Sequence, residues 1–176
     1  IGANPDKIKA LIDMKSPEKI KDVQSLTGRI AALSRFISKS TDKCVPFFNL
    51  LRGNKKFEWT EDCEQAFQAL KAHMAQPPIL SKPIEGETLF IYLAITEVAA
   101  SAVLVREDEG VQKAVYYVSK RLIGAELRYP PIERLAYCLI LASRKLRPYF
   151  QAHPITILTD HPCDKSCKTQ RRLGDY

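Results

Sequence analysis

The stretch Leu89–Val105, LFIYLAITEVAASAVLV, decides the fold. Its first seven residues, Leu89–Ile95, form an almost unbroken apolar run that is rich in large and β-branched side chains. A run of this length, which begins after Gly86 and ends before Thr96, predicts a strand buried on both faces. Ala99–Val105 is a second run of small and branched residues, so the two runs together predict an antiparallel hairpin on which the rest of the chain packs.

Three later segments extend this hairpin into a sheet. Ala114–Val118 predicts a third strand, and Ile155–Thr159 predicts a fourth. Between them, Ile132–Lys145 has helical spacing of its apolar residues and follows Tyr129 and two prolines. The order βββαβ predicts an α+β fold in which a mixed sheet carries a helix on one face.

The N-terminal third predicts helices. Asn4 with Pro5 is a good helix start, and Ser16 with Pro17 repeats that pattern. An apolar stripe with a period near 3.6 follows at Ile20, Val23, Leu26 and Ile30. Thr60 is the predicted N-cap of a further helix.

The positive charge is concentrated in the same third. The chain has a net charge of +7, and residues 1–56 contain 12 Lys and Arg against 5 Asp and Glu. Residues 57–176 contain 15 of each sign and are neutral. A basic appendage on a neutral domain suggests a polyanionic partner, most often nucleic acid, and the alternative is a solvated helical face.

One helix face within this basic third is built from small and amide side chains. Gln24, Gly28 and Ala32 are spaced four residues apart and therefore lie on one side of a helix. Such a face could lie along a nucleic-acid minor groove, with cationic side chains beside it. The alternatives are a helix–helix contact through small residues and a break between two short helices at Gly28. The flanking cations are Arg29, Arg35 and Lys39.

Other features limit the compartment and the kind of site. No apolar run reaches membrane-spanning length, and no secretion signal is present. Because the chain does not begin with Met, we expect a fragment of a longer polypeptide. Five scattered cysteines argue against a disulfide framework and for a reducing compartment, cytoplasmic or nuclear. His161, Cys163 and Cys167 lack a second ligand pair, which argues against zinc.

We expect four segments along the chain. Residues 1–56 form the helical segment, and residues 57–83 form a helix and a Pro-rich connector. Residues 84–162 form the sheet domain, and residues 163–176 form a disordered tail.

Several motifs in register resemble the reverse transcriptase polyprotein of gypsy-type long-terminal-repeat retrotransposons, particularly those of plants. The motifs are FEWTEDCEQAFQALK, SAVLV, VYYVSKRL, YPPIERLA, ASRKLRPYF and LTDHP. The N-terminal run DVQSLTGRIAALSRFI resembles the thumb of reverse transcriptase. The resemblance implies that positions Gln24, Gly28 and Ala32 track the minor groove of the template–primer duplex.

The sheet domain resembles a ribonuclease H-like fold. In that family, acidic residues from the first strand, the first helix and the fourth strand hold two Mg²⁺ ions. Here Glu133 lies at the helix start and Asp160 at the end of the fourth strand, whereas Ala94 occupies the position of the first Asp. Because that carboxylate bridges both metals, we expect weak or no metal binding by Glu133 and Asp160.

The resemblance therefore predicts a thumb joined to a catalytically degenerate ribonuclease H-like tether. This fragment lacks the polymerase palm and is expected to be inactive alone. It would bind template–primer or an RNA/DNA hybrid, in concert with the rest of the retroelement polyprotein and without a membrane. The alternatives are an active ribonuclease H and a host-adopted structural protein.

Overall fold

A computed structural model describes residues 1–53 and 56–159, and the chain divides into two compact units, Ile1–Ile79 and Leu80–Tyr176. The division falls inside the predicted connector, residues 57–83. The helix of that segment does not stand apart, because it contributes to the hydrophobic core of the first unit. No helix in the described ranges is long and apolar enough to cross a membrane.

The described part of the first unit is helical. Its helices are α1 (Pro5–Ile12), α2 (Ile20–Leu33), α3 (Ser40–Lys43), α4 (Val45–Leu50) and α5 (Glu61–Ala75), with a 3₁₀ turn at Ser34–Phe36. Helix α2 runs without interruption through Gly28, so the alternative of a break between two short helices is wrong. The helices bury one shared core, which includes Leu11, Val23, Leu26, Phe47, Phe67 and Met74.

Two of the three predicted helix starts are confirmed. The side chain of Asn4 accepts a hydrogen bond from the backbone N–H of Asp6 at 2.9 Å, and Thr60 Oγ1 accepts one from Cys63 at 3.4 Å. The start predicted at Ser16 is wrong, because α2 begins only at Ile20. Ser16 Oγ instead donates to Glu64 Oε2 at 2.8 Å, a tertiary contact to α5.

The second unit is a mixed four-stranded sheet with helices. Its strands follow the order β3-β2-β1-β4, where β1–β2 and β2–β3 are antiparallel and β1–β4 is parallel. The predicted βββαβ order and α+β class are confirmed, with one additional short helix before the last strand. The elements are β1 (Leu89–Ile95), β2 (Ala99–Asp108), β3 (Val111–Arg121), a 3₁₀ turn at Gly124–Arg128, α6 (Pro131–Lys145), α7 (Arg147–Ala152) and β4 (Ile155–Thr159).

Side-chain alternation along β1 separates a buried face from a half-buried one. Leu89, Ile91 and Leu93 are buried in one cluster with the inward side of α6. The intervening side chains, among them Tyr92 and Ala94, are only partly buried. The prediction of a strand buried on both faces is therefore wrong, since the helix packs on one side of the sheet.

A bidentate ion pair joins the sheet to the segment that precedes it. Arg106 on β2 is only 7% exposed. Its Nε lies 2.9 Å from Glu87 Oε1, and its Nη2 lies 3.1 Å from Oε2. These hydrogen bonds from Arg106 hold the pKa of the Glu87 carboxyl below its usual range.

We predict that Arg106→Leu lowers the free energy of unfolding clearly, because Glu87 keeps its charge but loses both hydrogen bonds from the guanidinium. The effect should fade as the pH falls below the ordinary range of a Glu carboxyl and through the lowered pKa of Glu87, where the carboxyl becomes neutral. Urea denaturation at pH 7 and at a series of acidic pH values measures the change.

Lys113→Leu is the matched control, because Lys113 pairs with Asp108 at 2.7 Å on the exposed end of the hairpin. Exposed pairs contribute about 0–1 kcal/mol, so this variant should change little. Equal losses in the two variants would contradict a special role for Arg106.

Candidate nucleic-acid interface and catalytic position

The outward side of α2 is an open strip. Gln24, Gly28 and Ala32 are all exposed, as the helical spacing predicts. The opposite side of α2 is buried through Val23, Leu26, Ile30 and Leu33. Lys21, Ser25 and Ala31 are also exposed and widen the strip on both sides.

Space around Gly28 distinguishes a groove-facing surface from helix packing. A Cβ atom placed on Gly28 would meet no other heavy atom of the described chain within 4 Å. A glycine that served a helix–helix contact would have the partner's atoms at that distance. Among the described residues, α2 makes no helix–helix contact at Gly28, so its backbone is accessible there.

The three predicted cations are not equivalent. Arg29 Nη1 donates to the carbonyl of Ala10 in the last turn of α1, so this guanidinium fastens α1 to α2. The guanidinium of Arg35 lies 5.4 Å from the ring centroid of Phe36, within the range of a cation–π contact. Lys39 is exposed at a left-handed turn, with φ 48°, directly before α3. Only Lys39 thus presents its charge on an exposed turn.

The predicted catalytic position in the second unit holds a methyl group. Ala94 pairs with Ser101 across the β1–β2 ladder. Because Leu93 lies in the core cluster, alternation directs the Ala94 side chain to the face opposite α6. Thr159, the last described residue of β4, pairs with Leu93 and so lies beside this position.

On the face of the sheet that α6 covers, a cysteine thiol packs against Ser101, the strand partner of Ala94. Cys138 Sγ lies 3.3 Å from the carbonyl oxygen of Ser101, to which it donates. Burial raises the pKa of Cys138 to about 11, so the group is a neutral thiol at physiological pH. Its neighbours on the inward side of the helix are Leu135 and Ala142. This side of the rung offers packing and no anionic ligand.

The remaining predicted carboxylates are not assembled into a cluster. Glu133 lies in the first turn of α6 and is exposed, with no hydrogen bond or ion pair to the described residues. Asp160 lies outside the described residues. Within 1–53 and 56–159, no three His, Cys, Asp or Glu side chains are grouped so that they could hold a metal ion. The donor set described here does not fit a pair of Mg²⁺ ions.

An arginine that the sequence did not single out shapes this end of the sheet. Arg134 Nε donates to the carbonyl of Tyr129 at 2.9 Å, and Nη2 donates to that of Leu127 at 2.5 Å. Its third contact, 3.5 Å long, reaches Thr96 at the β1–β2 turn. One guanidinium thereby fixes the turn after Ala94 to the start of α6. Its place three residues after Pro131, near the start of the helix, was the only sequence signal for this role.

The family described as "RNase H-like domain found in reverse transcriptase" matches residues 59–157. The Tf2-3 and Tf2-4 transposon polyproteins of Schizosaccharomyces pombe are 26% identical to this chain over 159 residues. Those matches cover 89% of this chain, which spans 12% of the length of either polyprotein.

Solved structures share the fold. The foamy viral protease–reverse transcriptase in complex with double-stranded DNA has a TM-score of 0.72 and 18% identity, over 92% of this chain and 34% of that one. The complex of the foamy viral enzyme with an RNA/DNA hybrid gives a TM-score of 0.70 at 18% identity, over 90% of this chain and 22% of that one. The α+β architecture described above is the ribonuclease H-like fold of that reverse transcriptase.

We predict that Gly28→Ala raises the free energy of unfolding by about 1 kcal/mol, since Ala favours a helix and its Cβ meets open space. Urea denaturation of both proteins measures the difference. Gly110→Ala is the control, because Gly110 has φ +80° and a side chain there is strained, so that variant should lose stability. A less stable Gly28→Ala protein would restore the packing interpretation of α2.

Proposed function

Since this chain belongs to the RNase H-like domains found in reverse transcriptase, we propose that it binds and positions a template–primer duplex or RNA/DNA hybrid. The observation that carries the proposal is the open strip of α2, where Gln24, Gly28 and Ala32 are exposed and no described residue would contact a Cβ atom at Gly28. The surrounding segment holds the whole net positive charge of the chain. Chemistry on the bound duplex would take place elsewhere in the polyprotein.

The chemistry of the strip suits a minor groove. Gly28 and Ala32 carry little or no side chain, so the backbone of α2 can approach the sugar edges closely. The amide of Gln24 both donates and accepts hydrogen bonds, as the acceptors and the donor of that groove require. The exposed Lys21 and Lys39 neutralise backbone phosphates without distinguishing between base sequences.

The foamy viral reverse transcriptases that share this fold were solved with double-stranded DNA and with an RNA/DNA hybrid. Those complexes support a duplex as the ligand of this chain too.

We assign the ribonuclease H-like unit a tethering role without hydrolysis. Ala94 offers no ligand, Cys138 fills the helix side of the same rung, and Glu133 is exposed to solvent. Mg²⁺, the ion that the family implies, supplies a polarised water and stabilises the leaving oxygen when it is bound. Because Ala94 cannot supply the bridging carboxylate, we expect the unit to orient nucleic acid rather than cut it.

The origin of the chain forms part of the proposal. The motifs quoted from the sequence favour a gypsy-type retroelement of the plant kind, whereas the curated relatives come from fission yeast. The other segments of such a polyprotein are the expected partners. A virus-like particle in the cytoplasm, or the nucleus, is the expected location.

We predict that Gly28→Leu weakens binding of an RNA/DNA hybrid at least tenfold, or about 1.4 kcal/mol, because the side chain holds α2 away from the groove. Fluorescence anisotropy with a labelled hybrid measures the affinity. For unmodified protein, log K should fall against log salt with a slope of about −3 to −5.

Ala136→Leu is the matched control, because it adds a similar bulk to an exposed position of α6. It should bind as the unmodified protein does. Unchanged affinity in Gly28→Leu, or an equal loss in both variants, would refute the assignment to α2.

We predict no hydrolysis of the RNA strand by the purified chain in Mg²⁺ or Mn²⁺, because Ala94 cannot ligate a metal. Gel analysis of a labelled RNA/DNA hybrid tests this beside a Glu133→Gln variant. Cleavage that disappears in that variant would establish the working ribonuclease H instead. Ala94→Asp should gain metal affinity before it gains any activity.

A further inference from the structure

Residues 57–176 are neutral as a whole, but their charges are unevenly distributed. Residues 84–133 contain eight Asp and Glu against five Lys and Arg. Residues 134–159, which form most of α6 and all of α7 and β4, contain four Lys and Arg and no acidic residue. The even total therefore conceals a basic region at the last two helices of the second unit.

Three of these cations surround the corner at which α6 ends and α7 begins, and together they form the basic corner. Arg144 and Lys145 lie in the last turn of α6, and Arg147 is the first residue of α7. All three are exposed, whereas Leu146 between them is fully buried and Phe150 on α7 is buried as well. The corner is thus anchored to the core and presents three positive charges within four residues.

The side chains of the basic corner are not neutralised within the protein. No hydrogen bond or ion pair joins any of them to another residue of the described ranges. Cations on the strands differ, since Arg106 pairs with Glu87 at 2.9 Å and Lys113 pairs with Asp108 at 2.7 Å. The three charges are therefore available to an anion from outside the chain.

The electrostatics of the two helices do not account for all three charges. Cations in the last turn of α6 complement the negative end of its dipole, which suffices to explain Arg144 and Lys145. Arg147 instead occupies the first position of α7, where the free N–H groups make the helix end positive and disfavour a cation. Helix stability gives no reason for this guanidinium, whereas an external anion does.

We propose that the basic corner binds backbone phosphates of a nucleic acid, and that the second unit holds a template–primer duplex or RNA/DNA hybrid through it. This role rests on the function proposed above, because it takes nucleic acid as the ligand and names the residues with which the tether would hold it. A guanidinium donates two parallel hydrogen bonds to a phosphate, and the ammonium of Lys145 adds a point charge. Phosphate contacts position a duplex without reading its sequence, as a tether requires.

Phosphate contacts determine how binding depends on salt. Each neutralised phosphate contributes about −0.9 to the slope of log K against log salt. Lys21 and Lys39, beside the strip of α2, would together give a slope of about −2. Three further contacts from the basic corner would bring the slope to about −4.5. The corner should therefore supply the larger share of the salt dependence of the full chain.

The test is a triple variant of the full chain, Arg144→Gln with Lys145→Gln and Arg147→Gln, which removes the charges and keeps a similar helix propensity. Fluorescence anisotropy with a labelled RNA/DNA hybrid, repeated over a range of salt concentrations, measures the slope. The slope should become shallower by about two to three units. Arg147→Gln alone should lose about one unit, whereas Arg147→Lys keeps the charge and should lose none.

A second triple variant is the matched control. Lys82→Gln with Lys113→Gln and Arg128→Gln removes the same charge from exposed positions elsewhere in the second unit. Because salt screens charges that do not touch a phosphate, this variant should change the slope by less than about one unit.

Equal changes of slope in the two triple variants would overturn the proposal, because net charge alone would then explain them. An unchanged slope in the variant of the basic corner would overturn it as well. Gly28→Leu separates this outcome from the function assigned to α2. A shallower slope in the corner variant beside unchanged binding by Gly28→Leu would refute α2 alone, and the reverse result would refute the basic corner alone. Absence of hybrid binding by the unmodified chain would refute both.

Discussion

Strand β1 is hydrogen-bonded along both edges, to β2 in antiparallel and to β4 in parallel fashion, and the second unit depends on this double pairing. The pairing fixes the register, and a shift of one residue would turn Leu89, Ile91 and Leu93 out of the core. The same register sets Ala94 opposite Ser101 on the other face. Core packing thus determines where a strand-borne carboxylate would stand, and this sequence supplies a methyl group there while keeping the scaffold.

The two units differ in their charge and in the surfaces that they expose. Residues 1–56 hold the excess positive charge, and α2 presents an open strip from Gln24 to Ala32. The sheet unit keeps its apolar core and its ion pair between Arg106 and Glu87, neither of which requires a metal. A fold maintained by burial rather than by ligands can lose its catalytic carboxylate without losing its structure. The proposed tethering role requires this independence of the ribonuclease H-like architecture from a bound metal.

Local signals in the sequence predicted the strands, the main helix of the sheet unit and the exposed face around Gly28, because apolar periodicity reports burial directly. Elsewhere, tertiary contacts override these local sequence signals. Ser16 resembles a helix cap but bonds to Glu64, which lies 48 residues away. The spacing of apolar residues does not show that Cys138 contacts Ser101, the strand partner of Ala94, because that contact depends on how α6 packs on the sheet.

Chemical-shift mapping with a short RNA/DNA hybrid distinguishes the two candidate surfaces, because one titration reports on both. Duplex binding by α2 predicts that the largest ¹H–¹⁵N changes fall on its outward side, from Lys21 through Gly28 to Ala32, with little change at Ala94 and Ser101. Changes centred on the Ala94 end of the sheet, with α2 unaffected, would contradict it and would place the nucleic acid at the ribonuclease H position.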